Sequence, residues 1–177
     1  MKVVGIAAYG GHPSECLARE AREFVKHIAK LASSIALAVG GCWGLMEVVV
    51  REALNQGLTV IVLAPSERSS YCREYAGYRN LLLFDTGVND NARSVLLVRV
   101  SQVLVALGGG AGTFMEALMA YREAKPVVAL TGCGADTDMY FLEAYKRWGC
   151  LDSRCIERLY VVKNGSEAAR KTLELLG

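Results

Sequence analysis

The chain is 177 residues long, 53% hydrophobic and 21% charged, with a formal net charge of +2. This composition fits one domain with a sizeable core and excludes a disordered or fibrous chain. The charges are scattered, so no basic nucleic-acid footprint is visible and nucleic acid is not expected as a partner.

No apolar run approaches the roughly 20 residues of a membrane span. The apolar start meets Gly10 and Gly11 too soon for a signal peptide, so a cytoplasmic protein with no membrane partner is expected.

Residues 2–8 read as a strand, and Tyr9-Gly10-Gly11-His12-Pro13-Ser14 as a turn into a helix over 15–32, where Leu17, Ala21, Phe24, Val25, Ile28 and Leu31 recur at helical spacing. Residues 34–39 form the next strand, Gly40-Gly41-Cys42-Trp43-Gly44 a second glycine turn, and 45–56 a helix closed by Gly57. A third strand at 58–64 leads to a connection over 65–80 with no apolar period, the kind of long loop that is usually functional or disordered. Tyr71, Tyr75 and Tyr78 within it are candidate lid residues.

A fourth strand at 81–84 is followed by a helix that opens over Thr86 to Asp90 and runs to Ser101. From Arg93 onward it is apolar nearly all round, with Val95, Leu96, Leu97, Val98 and Val100, so it needs cover on more than one side and a homodimer or larger assembly is expected. Strand 103–107 then runs straight into Gly108, Gly109, Gly110, Ala111 and Gly112, and Thr113 opens a helix to about Ala124. A strand at 126–130, a glycine-containing turn at 131–137, a helix at 138–148, an edge strand at 158–163 and a helix at 166–176 complete the chain.

Strands alternating with helices, and apolar enough to be buried on both faces, predict an α/β fold: a doubly wound, three-layer, mostly parallel sheet of about seven strands with helices on both sides. Ligands of such folds bind beyond the C-terminal ends of the strands. Each glycine turn follows a strand, so Gly10-Gly11, Gly40-Gly41 and the run from Gly108 to Gly112 lie on that one rim and predict a phosphate or nucleotide site. Glycine allows close backbone approach, and the helix start behind it offers unpaired N–H groups to an anion. The run is neither a P-loop, since no Lys follows, nor a G-x-G-x-x-G turn.

Thr113 and Glu116 fit the S/T-x-x-E capping box. Arg93, at a helix start where a cation opposes the dipole unless an anion is near, is the candidate anion partner. Asp85 and Asp90 are read as ribose ligands or as caps of the Arg93 helix, and Trp43 as a platform for a base or a packed core residue.

The six cysteines, Cys16, Cys42, Cys72, Cys133, Cys150 and Cys155, lack zinc-site spacing, and with His12 and His27 as the only histidines no metal site is expected. Most are expected to be reduced and buried, with a Cys150 to Cys155 disulfide as the alternative.

Gly40-Gly41-x-x-Gly44-Leu45-Met46, together with Gly109-Gly110-Ala111-Gly112-Thr113-x-x-Glu116 and Arg93 between them, resembles the Lonely Guy proteins, many of them first labelled "possible lysine decarboxylase". The resemblance implies a Rossmann-like domain over the whole chain. It also implies a phosphoribohydrolase that cleaves the N-glycosidic bond of a nucleoside 5′-monophosphate, giving free base and ribose 5-phosphate.

Carried over, Arg93 and Glu116 are the catalytic pair. Gly10, Gly11, Gly40, Gly41, Gly44, Gly109, Gly110, Ala111, Gly112 and Thr113 hold the phosphate or nucleotide, with no cofactor required. The family usually has Pro at Gly108, Lys at Ser94, Glu at Met115 and Gly at Glu47. Those departures are closer to a branch similar to the molybdenum-cofactor carrier proteins, which implies the alternative of a non-catalytic carrier for a phosphorylated cofactor such as molybdopterin. A DNA-processing protein that loads recombinase on single strands is a more distant likeness.

Overall fold

In the computed structural model, which describes residues 1–31 and 34–177, seven strands form one sheet in the order β4-β3-β2-β1-β5-β6-β7. They are β1 (Lys2–Ala7), β2 (Ile35–Val39), β3 (Thr59–Ala64), β4 (Leu81–Asp85), β5 (Val103–Ala106), β6 (Val127–Leu130) and β7 (Leu159–Val162). Every neighbouring pair runs parallel. Parallel neighbours need crossover connections, and the helices supply them.

The helices are α1 (Glu15–Leu31), α2 (Gly44–Asn55), α3 (Asp90–Val100), α4 (Ala111–Arg122), α5 (Asp136–Trp148) and α6 (Gly165–Leu176). The predicted end of the first helix at Ala32 lies outside the described residues. No described helix is long and apolar enough to cross a membrane.

Strands β2, β5 and β6 carry apolar residues on both faces because helices cover both. On one face Phe24 and Ile28 of α1, Leu45 and Val49 of α2 and Ala168 of α6 close over Val4, Leu37, Val60 and Val105. On the other, Tyr121 of α4 and Phe141 of α5 close over Leu104, Ala106 and Ala129.

From β1 the chain winds outward through β2 and β3 to β4, then α3 carries it back to β5 on the other side of β1. The winding direction therefore reverses between β1 and β5. Such a reversal opens a crevice at the strands' C-terminal ends, and the turns after those two strands are the first and third glycine turns.

Helix α3 turns Leu97 and Val98 inward, leaving Val95, Leu96 and Val100 exposed. In β4, Leu81 and Leu83 pack into the core on the α1 side, so alternation turns Leu82 and Phe84 to the other face, where they are exposed.

Several expectations are corrected. The 65–80 connection contains a 3-10 helix, Ser66–Tyr75, stitched to β4 where Asp85 Oδ1 accepts from Ser66 Oγ at 2.7 Å. That bond and a second from the Gly87 N–H hold the Asp85 carboxyl below the ordinary aspartate range. Helix α3 starts at Asp90, not over Thr86, because Asn89 Oδ1 caps it by accepting from the Ala92 N–H at 3.0 Å. Neither Asp85 nor Asp90 is that cap.

The cysteines, expected mostly as thiols, are paired: Cys16 with Cys133, Cys42 with Cys72 and Cys150 with Cys155. The first pair ties the start of α1 to the β6–α5 turn across 117 residues of sequence. In the chain-entropy account such a closure disfavours the unfolded state by about 4–5 kcal/mol.

The tightest helix approach is α1 on α6. A Cβ on Gly165 would fall 2.0 Å from the Glu20 carbonyl oxygen and 2.6 Å from the Phe24 nitrogen, both backbone atoms that cannot swing aside. Gly165→Ala should therefore lower stability by about 1–3 kcal/mol, the usual range for overpacking, seen as a lower midpoint in urea or thermal unfolding. An unchanged midpoint would mean that α6 shifts freely on α1.

Candidate functional site

The three glycine turns meet at the rim above β1, β2 and β5. Gly44, at φ +60°, is pressed on the first turn: a Cβ there would lie 2.5 to 2.7 Å from backbone atoms of Tyr9, Gly10 and Gly11. Leu45 N–H donates to the Tyr9 carbonyl at 2.8 Å, and Tyr9 N–H to the Gly108 carbonyl at 3.0 Å, so backbone alone ties the turns together. Between them lies a cavity of about 330 Å³ lined by Gly10, Gly11, Trp43, Arg68, Asp90, Arg93, Ser94, Gly110, Ala111, Gly112, Thr113, Met115 and Glu116.

A larger groove, about 750 Å³, adjoins it across Gly10 and Gly11 and is lined by His12, Arg19, Arg22, Gly44 and Glu47. Its charged groups are exposed or half-buried, and it lacks the buried acid and cation of the smaller cavity.

The wall of the smaller cavity formed by α4 is ready for an anion. Helix α4 begins at Ala111 with Gly110 as an N-cap that has no side chain to offer. The first intrahelical donor is Phe114, bonded to the Gly110 carbonyl at 3.1 Å, so the N–H groups of Ala111, Gly112 and Thr113 have no acceptor among the described residues. Three unpaired N–H groups at the positive end of a helix facing a cavity are donors of the kind that suit an anion.

The capping box is absent. Helix α4 starts two residues before Thr113, and the Glu116 carboxylate is bonded elsewhere. Its Oε1 accepts from Arg93 Nη1 at 2.8 Å and from Ser94 Oγ at 2.8 Å. Both partners come from α3, so the return crossing of that helix assembles the cluster. Glu116 is 6% exposed and Arg93 7%. Glu116 Oε2 and Arg93 Nη2 make no hydrogen bond to a described residue, and Arg93 Nε is buried without a partner. Burial pushes the Glu116 carboxyl above its ordinary range, while Arg93 and the Ser94 hydroxyl pull it back.

The candidate residues thus divide. Gly10, Gly11, Gly110, Ala111, Gly112, Thr113, Arg93 and Glu116 line one cavity. Gly40, Gly41 and Gly109 stand behind it. A Cβ on Gly40 would fall 2.2 Å from Arg93 Nη1, and one on Gly41 would fall 2.1 Å from the Trp43 ring. These two glycines make room for side chains rather than for a ligand. The Gly109 N–H is spent on Thr137 Oγ1 at 3.2 Å, and its carbonyl accepts from the Thr137 N–H at 3.0 Å, which anchors the loop to α5.

Of the tyrosines, Tyr75 belongs to the interior. Its hydroxyl donates to Glu47 Oε1 at 3.0 Å and accepts from Arg51 Nη2 at 3.2 Å, and burial raises its pKa to about 12. Tyr71 remains exposed with its ring 5.9 Å from that of Trp43, edge to face.

Sequence reasoning missed Arg68, which reaches the cavity from the 3-10 segment, and the part Ser94 plays in holding Glu116. Nothing local marks Arg68, because the segment that carries it has no period. Ser94 follows Arg93 directly, a spacing that places both near one carboxylate only once α3 is docked.

A family model described as the SLOG cluster4 family matches residues 1–153. A protein of Archaeoglobus fulgidus is 34% identical over 91 residues, or 51% of this chain and 56% of that protein, so the match spans about half of the curated relative's length. The solved structure of TM1055, a structural genomics target, has a TM-score of 0.81 at 31% identity and covers 98% of this chain and 99% of its own. The molybdenum cofactor carrier protein of Chlamydomonas reinhardtii has a TM-score of 0.70 at 26% identity, covering 99% of this chain and 98% of its own. DNA processing protein A of Helicobacter pylori shares the fold at 16% identity, with a TM-score of 0.71 over 98% of this chain and 80% of its own. These neighbours match the branch that the glycine motifs resemble.

Removing the Glu116 carboxylate should strand the Arg93 charge in a dry site. Glu116→Ala should therefore destabilise the fold by about 3–5 kcal/mol. Glu116→Gln, which keeps an acceptor for Arg93 and Ser94, should lose distinctly less in the same urea titration. An unchanged midpoint in Glu116→Ala would show that the pair is not the buried contact described.

Proposed function

We propose that this chain, which belongs to the SLOG cluster4 family, binds a nucleoside 5′-monophosphate on the first turn of α4 and hydrolyses its N-glycosidic bond. One observation carries the reading: three unpaired backbone N–H groups and a buried carboxylate–guanidinium pair face the same cavity. The phosphate takes the N–H groups of Ala111, Gly112 and Thr113, which positions the ribose over Glu116.

Cleavage builds oxocarbenium character on the ribose. The carboxylate stabilises that charge while its free oxygen, Oε2, orients and deprotonates the attacking water. Arg93 holds Oε1 and keeps an unpaired nitrogen for the phosphate or the departing base. Water adds to the anomeric carbon, the bond to the base nitrogen breaks with its electron pair going to the base, the proton taken up by Glu116 passes to that base, and the products are free base and ribose 5-phosphate.

A second reading is a carrier that binds a phosphorylated cofactor without chemistry. The 26% identity to the Chlamydomonas reinhardtii carrier protein over nearly its full length supports it. So does Met115, which lines the cavity and adds no proton-transferring group. The phosphate of molybdopterin fits the same three N–H groups, which would hold it as cargo.

Purified protein given AMP and other monophosphates should release free base, and Glu116→Gln should abolish this. Since the carboxylate is the active form, the rate should rise with pH through a midpoint above 4.5, the ordinary glutamate value, because burial raises it, and fall away below that midpoint. Absence of base from every monophosphate, with saturable binding of molybdopterin, would favour the carrier.

The exposed apolar residues Val95, Leu96 and Val100 of α3 and Leu82 and Phe84 of β4 are assigned to a second copy of the chain. A shared two-fold patch of this kind makes a closed dimer. Light scattering should give twice the chain mass, and Leu96→Glu combined with Phe84→Glu should give the single-chain mass; a monomeric parent would remove the assignment.

A further inference from the structure

The second glycine turn places one large aromatic ring on the cavity wall. The indole of Trp43 lies across Gly41, where a Cβ would meet the ring at 2.1 Å, and its Nε1 edge faces Gly10, where a Cβ would stand 3.1 Å away. Two glycines from two different turns thus clear a flat seat for it. The ring is half-buried and shares the cavity with Arg93, Glu116 and the first turn of α4.

What covers the ring is removable. The guanidinium of Arg68 sits over it, 5.2 Å from the ring centroid, and is held there by an ion pair to Asp90 at 3.7 Å. The Arg68 and Asp90 side chains are 43% and 42% exposed, so both interactions are of the weak, solvent-screened kind. Tyr71 stands nearly perpendicular to the ring, at 85° with centroids 5.9 Å apart, and does not stack on it. A planar, delocalised cation in weak contact with an indole face occupies the position that a planar heterocycle would take more strongly.

Resting on the phosphate-site reading above, we propose that Trp43 seats the heteroaromatic ring of the phosphorylated ligand, which stacks on the indole in place of the Arg68 guanidinium. Arg68 then swings from the ring toward the solvent side of the cavity. The seat selects phosphorylated compounds that carry a purine or pterin ring over bare sugar phosphates. It reads a π-face and the width of the ring, not a pattern of hydrogen bonds, and so tolerates different bases.

The test compares AMP with ribose 5-phosphate by calorimetry, in chains that carry Glu116→Gln so that the bond stays intact. AMP should bind roughly ten-fold tighter or more, the usual worth of one base on one aromatic ring. Trp43→Leu should erase that advantage while leaving ribose 5-phosphate affinity unchanged, and Trp43→Phe should keep most of it.

Should Trp43→Leu fail to fold, Trp148→Phe leaves Trp43 as the single tryptophan, since the chain has two. Its emission should then change with AMP and not with ribose 5-phosphate. Persistence of the AMP advantage in Trp43→Leu, or an emission blind to saturating AMP, overturns the inference while leaving the phosphate site standing. No binding of either compound overturns the phosphate-site reading and the inference with it.

Discussion

The arrangement of the rim depends on burying one guanidinium. Arg93 sits on the return helix α3, and its head group reaches the space left open by Gly40, where it meets Glu116. Each of these choices requires the others. A side chain at position 40 would expel the guanidinium, and without the guanidinium Glu116 would be a lone carboxylate in a dry site. Without Glu116 the arginine would be a buried, uncompensated charge.

Pairs of this kind contribute little net stability, because desolvation offsets most of the attraction, and apolar residues of similar volume often serve the fold equally well. A sheet as well covered as this one, with Tyr121 and Phe141 on one side and Phe24 and Ile28 on the other, does not need an ion pair to hold together. The pair is better understood as chemistry that the fold tolerates. Its asymmetry points the same way, since Oε1 takes both donors and Oε2 is left without one.

The strands and the glycine turns were legible because they follow from local rules. Apolar runs short enough for strands, helical spacing between them and glycine at each strand's end leave few alternatives to a doubly wound sheet, and the rim follows from strand direction. The division of labour among the glycines was not legible. Gly40 and Gly110 look alike in sequence, yet one is small to admit Arg93 and the other leaves the start of α4 bare. Which applies depends on a side chain some fifty residues away for Gly40 and on where a helix begins for Gly110.

The capping-box reading failed for the same reason. The spacing of Thr113 and Glu116 is right, but the helix starts at Ala111, and α3 takes the carboxylate. The Cys16–Cys133 and Cys42–Cys72 pairs were equally hidden, since their pairing depends on which turns share the rim, whereas Cys150–Cys155 was legible as the alternative to free thiols. Cys42 lies beside Trp43 and Cys72 beside Tyr71, so one disulfide ties the root of the aromatic seat to the segment that carries its cover.

The departures from the Lonely Guy pattern acquire a physical meaning in this setting. At Ser94 a lysine would bring a second positive charge to Glu116 and draw its carboxyl back toward the ordinary range. The hydroxyl found there donates one hydrogen bond and no charge, so burial prevails and the carboxyl stays high. A carboxylate whose conjugate acid is raised in this way is a stronger base than an ordinary one, which in the hydrolytic reading suits a group that must take a proton from water. At Met115 the loss is of another kind, since an apolar thioether on the wall can neither relay a proton nor hold a sugar hydroxyl. In the proposed reading the balance between turnover and retention rests on whether one free carboxylate oxygen, aimed by Arg93 and Ser94, is enough to activate water at a bond that the phosphate would position.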